Sequence, residues 1–447
     1  MIVVIKSDSR RINKGDIFIA LSGIKHDGHD FVYDAISRGA SKVIVEHGSY
    51  SVDTLVVPNT REYLRKYLVD NYSSIFSDMI IIGVTGTNGK TTVSYLLYQA
   101  LNKLGIKCSM IGTLGYYKDC KVGNLYNTCP DLCLMYELLI DSYNSGYKYV
   151  VLEASSQGLA EDRLYGVGFD YAIFTNLTHD HLDYHRSFSN YLDSKKKLFS
   201  SLKDNGIGIV NIDDNYSSYF SCNNLITYGF DDSMYRILNY SDNSFVLNHD
   251  GSYTVEHGLV GKFNIYNLVP CIIVLENIGI DIEKILFIVK SLKLPKGRME
   301  VYNYLNNKII VDYAHTPDAI ENVLKSISDY NKLYVVFGCT GNRDKSKRPI
   351  MTKMLVEKCN YVIITADDLY DEDFSSIVSD MTFDVSSNNY CVCYDRGEAI
   401  KKGISMLNDN DILLVLGKGH EEYIKIGSEL IPFNDGEFIL NIINKSI

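Results

Sequence analysis

The sequence predicts an α/β protein built from three domains. The 447 residues are too many for one domain of ordinary size. One apolar run leads through a glycine-rich turn into a helix, and strand-like and helical stretches alternate in the last third of the chain. We therefore expect a small N-terminal α/β domain over residues 1–75, a central P-loop ATPase-like α/β domain over residues 76–293, and a Rossmann-like doubly wound domain over residues 294–447.

The composition argues against a nucleic-acid partner and against a membrane segment. There are 55 acidic and 44 basic residues, which give a formal net charge of −11, and no polybasic run appears. No apolar run approaches the length of a membrane span, and the first ten residues lack the pattern of a signal peptide. We expect a cytoplasmic protein that binds neither nucleic acid nor membrane.

The N-terminal domain is predicted from a short alternation of strands and a helix. Residues 17–21 and 42–46 are strand-like, and residues 31–38 suit a helix. The D-S-R triplet at residues 8–10 lies in a predicted turn, where its side chains can contact a ligand. The triplet alone is not specific.

The stretch 79–99 has the order of a phosphate-binding loop: a buried strand, a turn of Gly, Thr and Asn, and a helix. Glycines let the backbone approach phosphate oxygens, Lys90 brings an ammonium to the transferring phosphate, and Thr91 or Thr92 can place a hydroxyl on Mg²⁺. Five residues separate its two glycines, where the general pattern has four. The alternative is a glycine turn that happens to precede a helix. We predict binding of a nucleoside triphosphate.

A second candidate is Glu153, which ends the predicted strand at residues 149–152 and precedes A-S-S-Q-G. Ligands bind at the carboxyl ends of parallel strands, so this carboxylate is a candidate magnesium ligand. The alternative is that Glu153 caps the next helix.

A histidine-rich stretch follows the predicted strand at residues 171–175. Three histidines and two aspartates within seven residues (179, 180, 181, 183 and 185) leave a zinc site as an alternative. Magnesium beside phosphates prefers oxygen ligands, and the ten scattered cysteines contain no C-x-x-C pair, so we expect reduced, buried thiols instead. The lysine run at 195–197 is by default a solvated helix face.

Asn264 and Asn267 fall one turn apart on a presumptive helix. Their paired amides could recognise an adenine edge, or they could cap and solvate the helix. After residue 294, polar clusters stand at the ends of five predicted strands (309–311, 334–337, 361–364, 390–394 and 412–416). The clusters at 312–315, 338–348, 367–368 and 417–421 therefore occupy the edge where an α/β sheet binds ligands.

Five separated stretches carry motifs that are specific as a series. They are D-S-R with G-D-I-F-I-A-L-S-G, T-G-T-N-G-K-T-T, E-A-S-S-Q-G-L with N-L-T-H-D-H-L-D-Y-H, G-R-M-E with D-Y-A-H-T-P-D, and G-K-G-H-E-E-Y. In this order they resemble the Mur ligase family, and within it the UDP-N-acetylmuramoyl-tripeptide synthetase branch (MurE type). The resemblance covers nearly the whole chain.

The resemblance implies an ATP-dependent amide-bond ligase with one domain each for a UDP-sugar, for ATP and for an incoming amino acid. It would use Mg²⁺ and join an amino acid to UDP-N-acetylmuramoyl-L-alanyl-D-glutamate through an acyl phosphate, in peptidoglycan precursor synthesis. The family's catalytic positions match Lys90, Glu153, His181 and Lys195. Lys195 matches a lysine that the family carbamylates, and a carbamate would present oxygen anions to magnesium, which would repel an ammonium. We expect a monomer.

Other positions are carried over residue by residue. ATP contacts match Thr87, Asn88, Gly89, Lys90, Thr91, Thr92, Asn264, Asn267, Arg298, Asp312 and His315, and metal ligands match Thr91, Glu153, His181 and Lys195. Contacts to the UDP-muramoyl dipeptide match Ser7, Ser9, Asn127, Thr128, Ser155 and Arg163. The amino-acid pocket matches Arg343, Asp367, Asp368, Gly417 and Glu421, of which Arg343 would bind the α-carboxylate through two parallel hydrogen bonds.

The departures from the family's pattern bear on the amino acid. The family's T-T-P reads T-C-P at 128–130, and its G-G-D-R reads T-G-N-R at 340–343. Branch members that accept meso-diaminopimelate carry D-N-P-R where residues 367–370 read D-D-L-Y. Tyr370 thus replaces the arginine that pairs with the second carboxylate, and an unpaired buried carboxylate is costly. We expect lysine or ornithine, with diaminopimelate as the second choice because a loop shift could bring another arginine into the pocket.

Two other functions remain open at this point. One is a different ligase of the same superfamily, such as the dipeptide-adding enzyme or a specialised cell-wall paralogue. The other is a nucleotide-gated binding module without catalysis. Such a module has no need of Glu153, His181 and Lys195 together with a complete amino-acid pocket.

Overall fold

The computed structural model describes residues 5–23 and 26–446 and confirms a three-domain α/β fold in which each domain is built around its own sheet. Residues 1–4, 24–25 and 447 fall within the predicted domain ranges but lie outside the described residues. None of the described helices is both long enough and apolar enough to cross a membrane.

The N-terminal domain contains a four-stranded parallel sheet. Its elements are β1 (Ile5–Lys6), β2 (Ile17–Ile19), α1 (Val32–Ser37), β3 (Lys42–Val45), β4 (Asp53–Val56) and α2 (Thr60–Ser77). The strands pair in the order β1-β2-β3-β4, so the two predicted strands and the predicted helix are present with shorter bounds. The predicted turn at residues 8–10 includes a short 3-10 helix, Ser9–Arg11, which Asp8 caps by accepting from the Arg10 N–H.

Helix α2 follows this sheet in the chain but packs against the central domain. Asn59 caps its start by accepting from the N–H of Glu62 at 2.9 Å. Its buried residues include one stripe at four-residue spacing: Leu64, Leu68, Tyr72 and Phe76. The stripe belongs to the same hydrophobic core as Ile81 of the central sheet, so α2 attaches the N-terminal domain to the central one.

The central domain is built on an eleven-stranded sheet. Its elements are β5 (Ile80–Thr85), α3 (Lys90–Lys103), β6 (Cys108–Gly112), β7 (Gly115–Tyr117), β8 (Lys121–Gly123), α4 (Leu132–Asn144), β9 (Tyr149–Glu153), α5 (Ser156–Ala160), β10 (Phe169–Phe174), α6 (Leu182–His185), α7 (Phe188–Ser200), β11 (Leu202–Asn211), β12 (Asn224–Gly229), β13 (Tyr235–Leu238), β14 (Ser244–Asn248), β15 (Ser252–Glu256), α8 (Phe263–Asn277) and α9 (Ile282–Val289). The strand order is β15-β14-β13-β12-β11-β10-β5-β9-β6-β7-β8. The strands from β13 to β6 are parallel, so β5, β9 and β10 end at the same edge of the sheet.

The C-terminal domain is doubly wound, as predicted. Its elements are β16 (Glu300–Tyr304), β17 (Asn307–Asp312), α10 (Pro317–Lys325), β18 (Leu333–Phe337), α11 (Lys347–Lys358), β19 (Tyr361–Ile364), α12 (Phe374–Thr382), β20 (Tyr390–Val392), α13 (Arg396–Ser405), β21 (Ile412–Leu416), β22 (Tyr423–Ile426), β23 (Glu429–Pro432) and α14 (Asp435–Ser446). The order is β16-β17-β21-β18-β19-β20, and β16 alone in this sheet is antiparallel to its neighbour. Leu414 joins the core on one face, whereas Leu413 and Val415 join the core on the other, because helices cover both faces.

A fully buried ion pair connects two helices of this domain. Nε of Arg396 on α13 and Oδ1 of Asp435 at the start of α14 are 2.7 Å apart, and both side chains are inaccessible to solvent. Nη2 of Arg396 also donates to the carbonyl of Leu416 at the end of β21. The guanidinium therefore ties both helices to the strand that precedes the G-K-G-H-E-E-Y stretch.

Replacing Asp435 by Asn should destabilise the protein, because Arg396 then keeps a buried charge without a counter-charge. We expect a loss of about 3–5 kcal/mol in the free energy of unfolding, measured by equilibrium urea denaturation. The matched control is Glu398→Gln, which breaks an exposed pair with Lys401 and should cost less than about 1 kcal/mol. Equal losses in the two variants would contradict the importance of burial.

Candidate active site

The phosphate loop connects β5 to α3 and folds its lysine back over its own backbone. Gly89, with φ of 87°, caps α3 in a conformation that favours glycine. Nζ of Lys90 donates to the carbonyl oxygens of Gly86 at 2.9 Å and Thr87 at 2.8 Å. Burial lowers the pKa of Lys90, although the carboxylate of Glu153 acts in the opposite direction. The amine is held where a bound phosphate would replace carbonyls as its partner.

The loop leaves no room for a side chain at two of its glycines. A Cβ added at Gly86 would lie 1.9 Å from Oγ1 of Thr175, and one added at Gly89 would lie 2.5 Å from Oδ1 of Asn267. Thr175 also donates to the carbonyl of Asn88 at 2.6 Å. The loop is therefore clamped between the end of β10 and helix α8.

Glu153 lies at the end of β9, fully buried beside this loop. Its Oε2 accepts from the hydroxyls of Thr91 at 2.8 Å and Thr113 at 3.0 Å, and its Oε1 accepts from the Thr113 N–H at 2.8 Å. The alternative role as a helix cap is not observed, since Ser155 caps α5 by accepting from the N–H of Gly158. The carboxylate instead faces the start of α3.

The pair of Glu153 and Thr91 fits a magnesium ion, because both side chains offer the hard oxygen donors that this ion prefers. Of the two candidate threonines, Thr91 rather than Thr92 contacts the carboxylate. His181 belongs to no group of three or more His, Cys, Asp or Glu ligands among the described residues. Across residues 5–23 and 26–446, the only three His, Cys, Asp or Glu side chains with ligand atoms within 4.8 Å of one another are Asp367, Asp368 and Glu421. This counts against the zinc alternative at the histidine-rich stretch.

The cysteines take no part in such a ligand group among the described residues. All ten are free thiols, as expected, and six of them are buried. The expectation of burial does not hold for the other four: Cys120, Cys222, Cys391 and Cys393.

Lys195 on α7 points into the protein, unlike the two lysines that follow it. It is 1% exposed, and its Nζ donates to the carbonyl of Gly86 at 2.6 Å and lies 4.5 Å from the ring centre of Tyr191. Burial, and then the nearby Lys90, lower the pKa of Lys195 well below its ordinary value. The prediction of a solvated helix face is therefore wrong for Lys195, whose amine is directed at the phosphate loop.

The D-H-L-D-Y-H stretch at 180–185 contains α6 and contributes to the lining of the cavity beside the loop. His181 adopts the left-handed conformation (φ 54°) at the start of α6, and its Nε2 lies 3.3 Å from a carboxylate oxygen of Asp180. Desolvation lowers the pKa of His181 to about 3 against the opposing effect of Asp180, so the imidazole is neutral at physiological pH. His185 is instead buried, with its Nε2 3.0 Å from the hydroxyl of Ser156.

Candidate nucleotide contacts from two domains meet across the cavity. On α8, the amide of Asn267 donates to Oδ1 of Asn264 at 2.9 Å, so the two side chains form a pair. From the C-terminal side, the guanidinium of Arg298 lies 4.4 Å from the ring centre of Tyr313, and its Nη2 lies 3.5 Å from Oγ1 of Thr91. Arg298 thus brings a positive charge to the start of α3.

Asp312 and His315 line the same cavity but make different contacts. The two carboxylate oxygens of Asp312 accept from the backbone N–H groups of Met299 and Ala314, each at 2.7 Å. Met299 precedes β16 and Ala314 follows β17, so Asp312 fixes the backbone before the first of these strands and after the second. Burial lowers the pKa of His315 to about 4, and its Nδ1 lies 2.8 Å from the carbonyl of Tyr313.

The residues predicted to bind the UDP-linked substrate are only partly brought together. Four of the six line the cavity: Asn127, Thr128, Ser155 and Arg163. Arg163 donates to the carbonyl of Cys129 at 2.7 Å. This hydrogen bond holds the backbone of the T-C-P segment, which departs from the family's T-T-P. Ser7 and Ser9 do not line the cavity, since Ser7 donates to Oδ1 of Asp131 at 3.2 Å and Ser9 is buried. Their predicted role stays a prediction.

A buried lysine that the sequence analysis did not single out, Lys418, occupies the centre of the predicted amino-acid pocket. Its Nζ lies 2.8 Å from Oδ1 of Asp368, 2.5 Å from Oε2 of Glu421 and 3.8 Å from Oδ1 of Asp367. Burial acts to lower the pKa of Lys418, but these three carboxylates outweigh it and raise the pKa. Gly417 adopts φ of 106°, and a Cβ there would lie 2.7 Å from Asp367. The three acids therefore already share one ammonium group.

Two further basic residues, Arg343 and Lys347, line the same cavity. Arg343 is exposed and makes no ion pair with a described residue. Lys347, at the start of α11, pairs with Asp180 at 3.2 Å and so links the C-terminal domain to the histidine-rich stretch. In the sequence, Lys347 lies in the polar cluster at 338–348 and Lys418 in the G-K-G-H motif, and these were the signals that could have identified them.

A single cavity of about 1530 Å³ connects these groups. Its lining includes the phosphate loop at residues 87–92, His181 and Lys195, the amide pair on α8, and the acidic residues of the amino-acid pocket. The geometry therefore allows a phosphate donor, an acid and an amine to meet in one cavity.

Comparison with known proteins identifies the domain types. Residues 1–72 match a model described as "Mur ligase family, catalytic domain", residues 84–275 match "Mur ligase middle domain", and residues 297–419 match "Mur ligase, glutamate ligase domain". Together these matches cover most of the chain.

Individual relatives agree with these matches over nearly the full length. The UDP-N-acetylmuramoyl-L-alanyl-D-glutamate--2,6-diaminopimelate ligase of Clostridium perfringens is 36% identical, with 98% of this chain and 94% of the relative covered. A solved structure of an enzyme with the same name has a TM-score of 0.66 at 33% identity, covering 99% of this chain and 95% of its own. The MurF ligase of Thermotoga maritima, solved with ADP, has a TM-score of 0.68 at 21% identity over 92% and 93% of the two chains, which supports the fold.

Replacing Gly89 by Ala should weaken ATP binding by about tenfold or more, because the new Cβ would displace Asn267 and the positive φ disfavours a side chain. Isothermal titration calorimetry with Mg-ATP measures the change. The matched control is Gly105→Ala, which also has a positive φ (79°) but no neighbour within 4 Å of the added atom. It should lose about 1–2 kcal/mol of stability without losing ATP affinity. An equal loss of ATP affinity in both variants would contradict the steric argument.

Proposed function

The chain belongs to the Mur ligase family, and we propose that it joins a diamino acid to UDP-N-acetylmuramoyl-L-alanyl-D-glutamate in an ATP-dependent reaction. The observation that carries this proposal is the single cavity in which the phosphate loop faces an acidic pocket. In that pocket Asp367, Asp368 and Glu421 surround Lys418. Membership of a ligase family and an acidic pocket suited to an amine substrate both support ligation of a diamino acid.

The amino acid proposed is 2,6-diaminopimelate. The Clostridium perfringens relative and a solved ligase are both named for this amino acid. The sequence analysis favoured lysine, because Tyr370 stands where an arginine was expected, and kept diaminopimelate as the second choice. The names of these two proteins therefore favour diaminopimelate over lysine. They do not favour the dipeptide-adding alternative, and a non-catalytic module would not require the buried Glu153 and Lys195 beside the phosphate loop.

The first step overcomes the low reactivity of a carboxylate toward an amine. A terminal carboxylate oxygen of the dipeptide attacks the γ-phosphorus of ATP, the bond to the β-phosphate oxygen breaks, and an acyl phosphate and ADP result. Lys90, at the loop, offsets the negative charge that develops on the transferring phosphoryl group. Magnesium would be held by Glu153 and Thr91, with His181 and a modified Lys195 as further ligands, and supplies electrostatic stabilisation of the phosphates when bound.

The second step forms the amide bond. The amine of the incoming amino acid attacks the acyl carbon, phosphate leaves, and the nitrogen loses a proton. The acidic pocket would hold a second amino group of the substrate, and Arg343 would bind the α-carboxylate. Closure of the domains over both substrates would keep water away from the acyl phosphate and align the amine with it.

We further propose that Lys195 acts as a carbamate. In the amine form its Nζ donates to the Gly86 carbonyl, and it lies close enough to Lys90 for the two charges to oppose each other. Attack of the neutral amine on carbon dioxide forms an N–C bond and releases a proton. Relative to the protonated amine, the carbamate has a negative charge in place of a positive one. The burial that lowers the pKa of Lys195 favours the neutral amine that this reaction needs.

The three domains would bind the UDP-sugar, ATP and the amino acid respectively, with boundaries near residues 75 and 293. Asn264, Asn267, Arg298 and His315 would contact the nucleotide, and Asn127, Thr128, Ser155 and Arg163 the UDP-linked substrate. The protein would act as a cytoplasmic monomer.

The overall reaction can be tested by mass spectrometry. Protein incubated with Mg-ATP, the UDP-muramoyl dipeptide and meso-diaminopimelate should yield ADP and a product heavier than the dipeptide by the amino acid less one water. Omission of the amino acid is the control and should give no such product. If no ADP or product forms with any diamino acid, the proposed function is wrong.

The variants Lys90→Ala and Lys195→Ala should each abolish ligation, but for different reasons. The first removes the cation at the phosphoryl group, and the second removes the carbamate oxygens. Added formate or acetate should partly restore only Lys195→Ala, because a small carboxylate can occupy the space of the carbamate. Ligation rates with and without the added acid measure the difference. Failure of rescue at every concentration tested would contradict the carbamate.

A further inference from the structure

Lys425 places an ammonium group at the amino-acid end of the cavity without a carboxylate partner. Its Nζ lies 4.6 Å from the centre of the Tyr370 ring, and it forms no ion pair with any described residue. The side chain is half-buried and lines the same cavity as Asp368. A partly desolvated cation that lacks a counter-charge is suited to an anionic group of a ligand.

The backbone around Lys425 fixes the position of this ammonium. Lys425 belongs to β22 of the two-stranded hairpin, and its N–H donates to Oδ1 of Asp368 at 2.8 Å. Its carbonyl accepts from the N–H groups of Leu369 at 2.8 Å and Tyr370 at 3.3 Å, and the N–H of Gly427 donates to the Tyr370 carbonyl at 2.6 Å. The hairpin and the loop at 367–370 therefore form one unit at the cavity wall.

Tyr370 stands between two cations in this unit. It adopts the left-handed conformation (φ 52°), which is uncommon for a residue with a bulky side chain. The ammonium of Lys425 lies 4.6 Å from its ring centre and the guanidinium of Arg343 lies 6.0 Å from it. The Tyr370 hydroxyl makes no hydrogen bond with a described residue, so it is free to donate to a ligand.

The cavity therefore has an acidic part and a basic part within one pocket. Asp367, Asp368 and Glu421 form the acidic part, and Lys425 with Arg343 forms the basic part. A lysine side chain ends in an ammonium alone, which leaves Lys425 unmatched. A diamino dicarboxylic acid carries an amine and a carboxylate at its distal end and matches both parts, and Arg343 remains available for its α-carboxylate.

We propose that Lys425, together with the hydroxyl of Tyr370, binds the distal carboxylate of a diamino dicarboxylic acid and thereby selects it over lysine. This inference rests on the proposed function and identifies a residue of the hairpin as the source of specificity. It accounts for the missing arginine at position 370: the cation comes from a strand that is distant in sequence but joined to the loop by backbone hydrogen bonds.

The test compares kcat/KM for meso-diaminopimelate and for L-lysine, with saturating Mg-ATP and UDP-muramoyl dipeptide. The unaltered protein should prefer diaminopimelate. Lys425→Met, which keeps the aliphatic stem, should lower kcat/KM for diaminopimelate by about 10- to 100-fold, mainly through KM, because one charge-assisted contact is lost. Its kcat/KM for lysine should stay the same or rise. Lys425→Arg should retain the preference.

Two further variants guard against a merely structural effect. Lys353→Met, an exposed lysine on α11 outside the cavity, is the matched control and should leave both values unchanged. Adding Tyr370→Arg to Lys425→Met should restore activity on diaminopimelate, which a damaged fold would not permit. If Lys425→Met does not fold, Lys425→Gln takes its place.

The outcomes separate this inference from the proposed function. If the unaltered protein ligates lysine in preference to diaminopimelate, the inference and the choice of diaminopimelate are wrong, whereas the proposed ligation of a diamino acid stands. An unchanged ratio of the two kcat/KM values in Lys425→Met also overturns the inference alone. If the unaltered protein ligates neither amino acid, both are wrong.

Discussion

Half-buried Lys90 and buried Lys195 donate to the same carbonyl oxygen, that of Gly86. Like charges repel strongly where water is excluded, and the nearby carboxylate of Glu153 is already engaged by two threonines. Both amines have only backbone carbonyls as hydrogen-bond acceptors, so an anionic ligand would supply the counter-charge that this point of the site lacks. The parallel sheet produces this arrangement, because β5, β9 and β10 end together and bring the loop and the carboxylate to one edge.

The C-terminal domain completes the site by contacting the phosphate loop and the histidine-rich stretch. The amide of Asn88 donates to Asp318 at 2.9 Å, Lys347 pairs with Asp180, and Arg298 lies beside the hydroxyl of Thr91. These contacts bring the amino-acid pocket, which belongs to a separate sheet, to the same cavity as the phosphate loop. The position of one domain relative to the other thus decides whether the amine can reach the activated acid.

The features that the sequence predicts well are those with a local cause. A strand buried on both faces is a continuous apolar run, so the strand at 412–416 is found to the residue, and Glu153 is recognised because it ends such a run. The burial of Lys195 is not local: it depends on α7 packing over the phosphate loop, so the run at 195–197 resembles a solvated face. Lys425 escapes notice for the same reason, since only the hairpin's pairing with the loop at 367–370 brings it to Tyr370. Residue patterns carry no information about that pairing.

The packing of α2 has a practical consequence for dissecting the molecule. The helix follows the first sheet in the chain, yet its apolar stripe lies in the core shared with the central sheet. A shortened chain that begins after this helix would expose the opposing surface of the central domain to water and would tend to aggregate. A soluble fragment comprising the second and third domains should therefore retain Asn59 and the whole of α2, and be cut on the N-terminal side of this helix cap.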